Sequence, residues 1–315
     1  MFFAGAYSAI LSSASSELSK YFQNRVEGSE DFVEHVNELA NPHYAFEIIF
    51  PLVCIIDSVF AAQFLLCISF GSWLNTVMKW WLLEDRPYWW VQNTSFYRDM
   101  NRPQLHQYSQ TCETGPGSPS GHSAMIAMQL VLYLMWISHF MNDSDPYIWG
   151  VGRDRAPVPK TVFRHVLSVI ILAGISVITY FALKFSGLDP EWSIKLAYRW
   201  CEHPDNIRVS SLPLFALVQA LASLLAWALA VTPEVAKYRH YTSQRSLLLA
   251  IISTYVIVAV TKDVVKIVDK ENEVLFYALL FAVLCLRAVL LIRVVPFFAT
   301  FFYRNVEEDK KKKKT

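Results

Sequence analysis

Five long apolar stretches constrain this chain most, because each is long enough to cross a membrane. A spanning helix needs about 20 mostly apolar residues, and in lipid a helix satisfies its own backbone polar groups. With 54% hydrophobic, 15% aromatic and only 17% charged residues, the chain departs from soluble composition in the same direction. The sequence therefore predicts an all-α fold, a polytopic transmembrane helical bundle. The five stretches are residues 58–82, 122–141, 166–186, 211–231 and 274–302.

Two further stretches are apolar but carry polar residues. Residues 247–267 have three charged residues near their far end, and residues 36–56 contain acidic residues and a histidine. If these segments span, such side chains must face the bundle interior or lie near an interface. We predict about seven spans in one transmembrane domain, residues 36–302. An N-terminal segment, 1–35, precedes it and a lysine-rich tail, 303–315, follows it.

The distribution of lysine and arginine predicts the orientation of the chain. With seven alternating spans, the C-terminal lysine run and the loops 142–165 and 232–246 fall on one side, which is then cytoplasmic. The loops 83–121 and 187–210 and the N-terminus fall on the opposite, lumenal or external side. "NTS" at Asn93 is a glycosylation acceptor on that side, whereas "NDS" at Asn142 falls on the cytoplasmic side.

Charge and cysteine spacing exclude several classes of function. A formal net charge of +1 gives no indication of nucleic-acid binding. The five cysteines form no CxxC pair and no metal-ligand spacing. Cys112 and Cys201 lie in polar segments, where a disulfide is conceivable; the sequence leaves their pairing open.

Two cations in "KWWLLEDRPYWW" predict an anion clamp. Lys79 and Arg86 are seven positions apart, about two helical turns, so both are predicted to project from one side of a helix. Pro87 disfavours helical conformation at Arg86 and places it at the helix mouth. The arginine fork matches phosphate oxygens. Alternatively, both side chains snorkel from a helix end and the tryptophans form an interfacial belt.

The stiff, polar stretch "TCETGPGSPSGH" ends where an apolar run begins. If that run is a helix, the backbone amides of Ser120 and Gly121 point at an anion, and Ser120 adds a hydroxyl donor. His122 would then stand at the edge of the anion site, with an imidazole suited to proton transfer near neutral pH. Alternatively, Ser120 or Ser118 only caps the helix and His122 has no chemical role.

Together these motifs resemble a known family. "KxxxxxxRP" at 79–87 followed by "PSGH" at 119–122 is similar to the first two signature motifs of the phosphatidic-acid phosphatase and vanadium haloperoxidase superfamily. "RPYWW" at 86–90, "TCETGPGSPSGH" at 111–122 and "RWCE" at 199–202 resemble the glucose-6-phosphatase family specifically. The resemblance covers the first two motifs well, and it is confined to hydropathy in most of the remaining chain.

The resemblance implies a multi-pass enzyme of the endoplasmic-reticulum membrane, in contact with its lipids. Such an enzyme hydrolyses glucose 6-phosphate to glucose and phosphate in the lumen, without a metal or cofactor, through a phosphohistidine intermediate. Lys79 and Arg86 would bind phosphate, Ser120 and Gly121 would cradle it, and His122 would be the proton donor. The family also implies coupling to a glucose-6-phosphate transporter, and the terminal "KKKT" resembles its dilysine retrieval signal.

The third motif of the superfamily pairs an arginine with a nucleophilic histidine six residues later, and this chain lacks it. None of its eight histidines has an arginine six positions earlier. The family is expected to have nine spans, and the motif would lie where "PKTVFRH" runs directly into residues 166–186. His165 is predicted on the cytoplasmic face, about 30 Å from His122. His203 is on the correct side but has no paired arginine, so no nucleophile is found.

Three hypotheses follow. The first is a glucose-6-phosphatase whose active site is defective in this form, from a splice form or an incomplete gene model that lost an internal segment. The second is a phosphatase for a lipid phosphate or another sugar phosphate, because the first two motifs bind only the phosphate group. The third is a non-catalytic membrane regulator with a vestigial phosphate site.

Overall fold

The computed structural model describes residues 2–25, 27–39, 41–97, 102–108, 111–142, 159–231, 244–267 and 272–312. Helices are the regular structure of this part of the chain, and it contains no strand. The chain divides into two compact units. Unit 1 contains residues 1–41, 72–124 and 174–217, and unit 2 contains residues 42–71, 125–173 and 218–315.

The helices follow the apolar stretches of the sequence. Their bounds are α1 (Phe2–Arg25), α2 (Glu30–Leu39), α3 (Pro42–Tyr44), α4 (Phe50–Ile56), α5 (Ser58–Leu82), α6 (Pro87–Asn93), α7 (Gly121–Asn142), α8 (Pro159–Phe185), α9 (Trp192–Trp200), α10 (Pro213–Ala230), α11 (Gln244–Ile267) and α12 (Glu273–Lys312). A π-helical turn, Ala45–Ile49, joins α3 to α4, and two short 3₁₀ turns, Pro204–Asn206 and Val209–Ser211, precede α10.

The predicted all-α, polytopic membrane bundle is confirmed, but the number of spans differs. Among the described residues, five helices, α5, α7, α8, α10 and α12, contain segments long and apolar enough to cross a membrane. The bent pair Glu30–Glu38 and Pro42–Ile56 raises the number to six if it forms one span. The sequence predicts about seven spans. With the bent pair counted, the difference is α11, whose apolar part, Leu247–Lys262, is too short.

Unit 2 has an apolar core formed by α4, α5, α7, α10, α11 and α12. Phe60 of α5 stacks on Trp136 of α7, with ring centroids 5.3 Å apart. Asp57 separates α4 from α5, because its backbone is extended rather than helical. Its Oδ1 accepts hydrogen bonds from the amides of Val59 and Phe60, at 2.9 and 3.0 Å, and so caps α5. Asp57 Oδ2 accepts a hydrogen bond from Trp136 Nε1 at 3.1 Å.

One charged residue of the predicted span 36–56 has its partner inside unit 2. Glu47, in the π-helical turn, pairs with Arg287 of α12, whose side chain is buried. Arg287 Nη1 donates to Glu47 Oε2 at 2.7 Å, and Arg287 Nη2 donates to Glu47 Oε1 and to the carbonyl of Phe46. This pairing meets the requirement that a polar side chain in such a segment face the interior.

Unit 1 has an aromatic core formed by α6 and α9. Trp89 is completely buried, and it packs edge-to-face against Trp192. Helix α1 packs against α6, and the side chain of Gln23 exchanges two hydrogen bonds with the backbone of His106. The sequence did not predict α1, because residues 1–25 lack the continuous apolar run of a span and the helix is stabilised by tertiary contacts.

Several predictions concern residues for which the structure gives no description. The basic loop residues Arg153, Arg155, Lys237 and Arg239 lie outside the described residues, as do the last three residues of the lysine-rich tail. The side chain of Asn142 is also outside them. The orientation across the membrane and the division into an N-terminal segment, a membrane domain and a tail therefore stay predictions.

Candidate active site

The loop 111–120 lies in unit 1 and is fixed at both of its ends. Cys112 forms a disulfide with Cys201, just beyond α9, with their Cα atoms 5.6 Å apart. The pairing that the sequence left open is thus formed. Thr114 is completely buried, and its amide and hydroxyl contact Ser211 Oγ at 3.3 and 3.1 Å. At the far end, Asn75 of α5 donates a hydrogen bond to the carbonyl of Pro119 at 3.3 Å.

Two glycines let this loop approach the segment between α5 and α6. The amide of Gly117 donates to the carbonyl of Glu84 at 2.8 Å. A Cβ atom at Gly117 would lie 2.7 Å from the carbonyl oxygen of Asp85, so a side chain cannot be accommodated without a backbone shift. A Cβ atom at Gly115 would lie 3.3 Å from Lys79 Nζ, the mobile end of a long side chain. The backbone of the loop is therefore in direct contact with the predicted clamp.

Arg86 lies at the N-terminus of α6, as its position before Pro87 predicts. Its backbone is extended, with φ −80° and ψ 145°, and Pro87 begins the helix. The guanidinium points into the loop, where Nε donates to the carbonyl of Gly115 at 2.7 Å. Nη2 donates to the carboxylate of Glu113 at 2.6 Å. Only 18% of the Arg86 side chain is exposed, so this interaction is shielded from water.

Lys79 meets the same loop, but the helical argument for its pairing with Arg86 is wrong. Helix α5 ends at Leu82, and Leu83 has a positive φ of 52°, so Lys79 and Arg86 do not share a helix. They converge because Gly115 contacts both: its carbonyl accepts from Arg86 and its Cα faces the Lys79 ammonium. Within the described residues, no hydrogen bond or ion pair occupies Lys79 Nζ.

The predicted helix after "PSG" begins at Gly121. Ser120 caps it, because Ser120 Oγ accepts a hydrogen bond from the amide of Ser123 at 3.3 Å. The capping alternative is therefore correct for Ser120, whose phosphate-binding role stays a prediction. The amides of Gly121 and His122, in the first turn, have no acceptor within the helix and so remain free for an anion.

His122 lies beside both cations and beside Glu113. Its Nε2 is 3.7 Å from Glu113 Oε1, and 18% of its side chain is exposed. Nε2 is buried, and no acceptor for it exists among the described residues. Lys79, Arg86 and Glu113 all interact with it electrostatically. The structure thus brings together Lys79, Arg86, the start of α7 and His122, as the sequence predicts.

Glu113 is the residue of this site that sequence reasoning missed. Burial would raise the pKa of its carboxyl, but the charges of Arg86, His122 and Lys79 together hold that pKa below the ordinary value of 4.5. The one sequence signal that could have revealed Glu113 is that it is a carboxylate in a loop, 111–120, whose other residues are neutral. Its partners lie nine or more positions away, on other elements, so spacing could not reveal them.

His165 and His203 are the two histidines that the sequence offers as replacements for the nucleophile. His165 belongs to unit 2, where its ring contacts Trp227 at 4.8 Å. His203 belongs to unit 1 but is exposed, at the start of a 3₁₀ turn. The described residues contain no group of three or more histidine, cysteine, aspartate or glutamate side chains that could hold a metal ion. Asn93, the predicted glycosylation acceptor, is exposed at the end of α6.

Comparison with known proteins identifies the same family that the sequence motifs resemble. The PAP2 superfamily matches residues 60–186, which include Lys79, Arg86 and His122. The chain is 30% identical to glucose-6-phosphatase 3 of Rattus norvegicus over 271 residues, covering 72% of this chain and 78% of the relative. It is 29% identical to glucose-6-phosphatase catalytic subunit 1 of Felis catus over 262 residues, covering 68% and 73%. No solved structure matches significantly.

The extent of these matches is informative about the missing motif. The alignment with the rat relative extends over 271 positions, but it includes only 72% of this 315-residue chain. The aligned part of this chain thus has fewer residues than the alignment has positions. The relative therefore has aligned positions without a counterpart in this chain. The cat relative gives the same imbalance, with 262 positions against 68% of the chain. These coverages do not show where along the chain the unmatched positions lie, so the internal deletion stays a prediction.

Proposed function

Because this chain belongs to the glucose-6-phosphatase family, whose class is phosphoric monoester hydrolase, we propose that its substrate is glucose 6-phosphate. Lys79 and Arg86 bind the phosphate group, and Ser120 and the amides of Gly121 and His122 cradle it. One observation carries this proposal. The Arg86 guanidinium and the Lys79 ammonium meet at Gly115, in the loop that leads to the free amides at the start of α7, so two cations and an anion-binding helix end converge.

His122 acts as the general acid in this proposal. In the family reaction, a histidine nitrogen attacks phosphorus, the bond from phosphorus to the sugar oxygen breaks, and the acid protonates that oxygen. The buried Nε2 of His122 supports the acid role, because it has no acceptor among the described residues and can donate to a bound ligand. Lys79 and Arg86 stabilise the charge on the phosphate oxygens during the transfer.

The attacking histidine is missing from this chain, so we propose that this form binds its substrate but turns it over very slowly. Without a nucleophile the covalent path has no first step. The imbalance of the alignments supports an internal deletion. The same observation favours a second candidate function, a non-catalytic phosphate-binding membrane protein, over a phosphatase for lipid phosphates.

We further propose that the site faces the lumen of the endoplasmic reticulum and that the C-terminus is cytoplasmic. The disulfide between Cys112 and Cys201 supports this side for the loop, because disulfides persist in oxidising compartments. The exposed position of Asn93 is compatible with glycosylation on the same side. A lumenal site requires a route for a charged sugar phosphate, so we expect coupling to a glucose-6-phosphate transporter.

Calorimetric titration of the purified full chain in lipid nanodiscs tests substrate binding. Glucose 6-phosphate should bind more tightly than inorganic phosphate or mannose 6-phosphate. Arg86→Ala and Lys79→Ala should each weaken binding about tenfold or more, the loss expected for charge-assisted hydrogen bonds. His203→Ala is the matched control, an exposed histidine of the same unit, and should change nothing. The proposal is wrong if the unchanged chain fails to bind glucose 6-phosphate, or if both lysine and arginine variants bind it normally.

A further inference from the structure

Glu113 connects the two parts of the site that the proposed function uses. We propose that Glu113 is a positioning residue that holds Arg86 by a hydrogen bond to one carboxylate oxygen and faces His122 with the other at ion-pair distance, so that both residues are directed at the same bound phosphate group. This inference rests on the proposed function and adds a residue to it. Three sets of contacts support it.

The first set fixes the plane of the Arg86 guanidinium. Nη2 donates to Glu113 Oε2 at 2.6 Å, and Nε donates to the carbonyl of Gly115 at 2.7 Å. Because Nε and Nη2 each donate to a separate acceptor, the planar guanidinium group has little freedom to rotate. Among the described residues, Nη1 has no acceptor, so it is available to a phosphate oxygen. Glu113 therefore orients the guanidinium and leaves its remaining donors free.

The second set concerns the charge around His122. Its ring is faced by Lys79 from α5, by Arg86 from the start of α6 and by Glu113 from the loop. Two of these groups are cations, which disfavour a protonated imidazole, and Glu113 is the anion that opposes them. Glu113 Oε1 lies 3.7 Å from His122 Nε2, which is within ion-pair distance. The distance is too long for a hydrogen bond, so the proton on Nε2 is not taken up by Glu113.

The third set holds Glu113 itself in place. Its neighbour Cys112 is tied to Cys201 by the disulfide, and its backbone carbonyl accepts a hydrogen bond from the hydroxyl of Tyr88 at 3.5 Å. Because the surrounding charges lower the pKa of its carboxyl, Glu113 is ionised near neutral pH. A fixed, ionised carboxylate can therefore act on both neighbours at once.

Modification of His122 by diethylpyrocarbonate tests this proposal without any substrate. The reagent modifies neutral imidazole, so the pH midpoint of the reaction, mapped by mass spectrometry, reports the protonation of His122. Glu113→Gln should move that midpoint to lower pH by about one unit, the effect of losing an opposite charge at this distance. Glu113→Asp keeps the charge and should stay close to the unchanged chain. Glu17→Gln, which removes an exposed carboxylate of unit 1 far from His203 in the chain, is the matched control.

The modification of His203 in the same samples serves as an internal reference, because this exposed histidine should react identically in every variant. An unchanged His122 midpoint in Glu113→Gln overturns the proposal, provided that the variant unfolds at the same temperature as the unchanged chain. A shift in Glu113→Asp as large as that in Glu113→Gln also overturns it. The experiment needs no ligand, so failure of glucose 6-phosphate to bind would contradict the proposed function alone.

Binding of inorganic phosphate tests the orientation of Arg86 separately. Glu113→Ala releases the guanidinium, and reordering it on binding should weaken phosphate affinity up to about tenfold. Glu113→Gln keeps an acceptor for Arg86 and should weaken affinity less. Tighter binding in both variants would show that Glu113 only competes with phosphate as an anion, and would overturn the positioning role.

Discussion

Glu47 and Arg287, 240 positions apart in the chain, form a two-bond ion pair inside unit 2. Only 7% of the Arg287 side chain and 17% of the Glu47 side chain are exposed. The pair joins the π-helical turn before α4 to the middle of α12. Removing one partner would leave a buried charge without compensation, which is more costly than losing the attraction itself.

Glu47→Ala and Arg287→Ala should therefore each destabilise unit 2 by about 3–5 kcal/mol. The double variant Glu47→Gln with Arg287→Met should be less destabilised than either single variant, because no unpaired charge remains. Thermal unfolding in detergent, followed by size-exclusion chromatography, measures this order. Lys195→Ala, which breaks the exposed pair with Asp189, is the control and should not change the midpoint. A double variant less stable than both single variants would contradict the explanation.

The disulfide between Cys112 and Cys201 should stabilise unit 1, because it closes a separation of 89 residues in the unfolded chain. Cys112→Ser and Cys201→Ser should each cost about 2–4 kcal/mol, and the double variant should cost no more than a single one. Peptide mapping without reductant should recover the linked peptide. Cys67→Ser, a free cysteine of unit 2, is the control. Labelling of both site cysteines by maleimide in the unreduced protein would contradict the prediction.

Gly117 and Gly115 should differ in their tolerance of alanine. At Gly117 the added Cβ meets the backbone carbonyl of Asp85, which is fixed because its neighbour Glu84 accepts the Gly117 amide. At Gly115 it meets the flexible end of Lys79, which can move. We expect Gly117→Ala to weaken phosphate binding about tenfold or more, since a shift of the loop displaces the acceptor of Arg86.

Gly115→Ala should weaken phosphate binding less than Gly117→Ala, and mainly through Lys79. Gly174→Ala is the control, because a Cβ atom there has no neighbour within 4 Å. Calorimetric titration with inorganic phosphate compares the three variants. Equal losses at Gly115 and Gly117 would show that the close approach to Asp85 does not fix the loop.

The lowered pKa of Glu113 predicts how the stability of unit 1 depends on pH. A carboxyl whose pKa is lower in the folded state contributes stability that is fully present above its unfolded pKa, near 4.5. That contribution is lost as the pH falls through the folded-state value. The difference in unfolding midpoint between the unchanged chain and Glu113→Gln should therefore shrink as the pH falls below about 4.5, where the carboxyl becomes protonated in the unfolded chain. A difference that grows as the pH falls below 4.5 would contradict this sign.

Much of the fold could be predicted from the sequence because lipid imposes one requirement, a long apolar helix. Helices α5, α7, α8, α10 and α12 follow directly from that requirement. Helix α1 could not be predicted, since its stability depends on contacts with α6 and His106 rather than on its own composition.

The site could be predicted only in part, for a similar reason. Because Pro87 follows Arg86, the sequence predicts Arg86 at a helix end, and it predicts a helix that begins after "PSG" and includes His122. Helices α6 and α7 begin at these places. The convergence of Lys79 with Arg86 depends on the loop around Gly115, and the role of Glu113 depends on residues of two other elements. Contacts between distant elements leave no periodic signal in a sequence.

The absence of a nucleophile leads to a prediction about the covalent intermediate. Glucose 6-phosphate labelled with ³²P should leave no phosphohistidine on this chain after rapid acid-free denaturation, because no histidine follows an arginine at the required spacing. His122 itself should stay unlabelled. A general acid donates its proton to the sugar oxygen that leaves, and it does not attack phosphorus. Glucose-6-phosphatase 3 of Rattus norvegicus, treated in parallel, is the comparison protein. Hydrolysis by this chain should be near background and equal in His122→Ala, because an acid cannot accelerate a step that has no attacking group. Label on any of the eight histidines would show that another residue replaces the missing nucleophile, and mass spectrometry would then identify it.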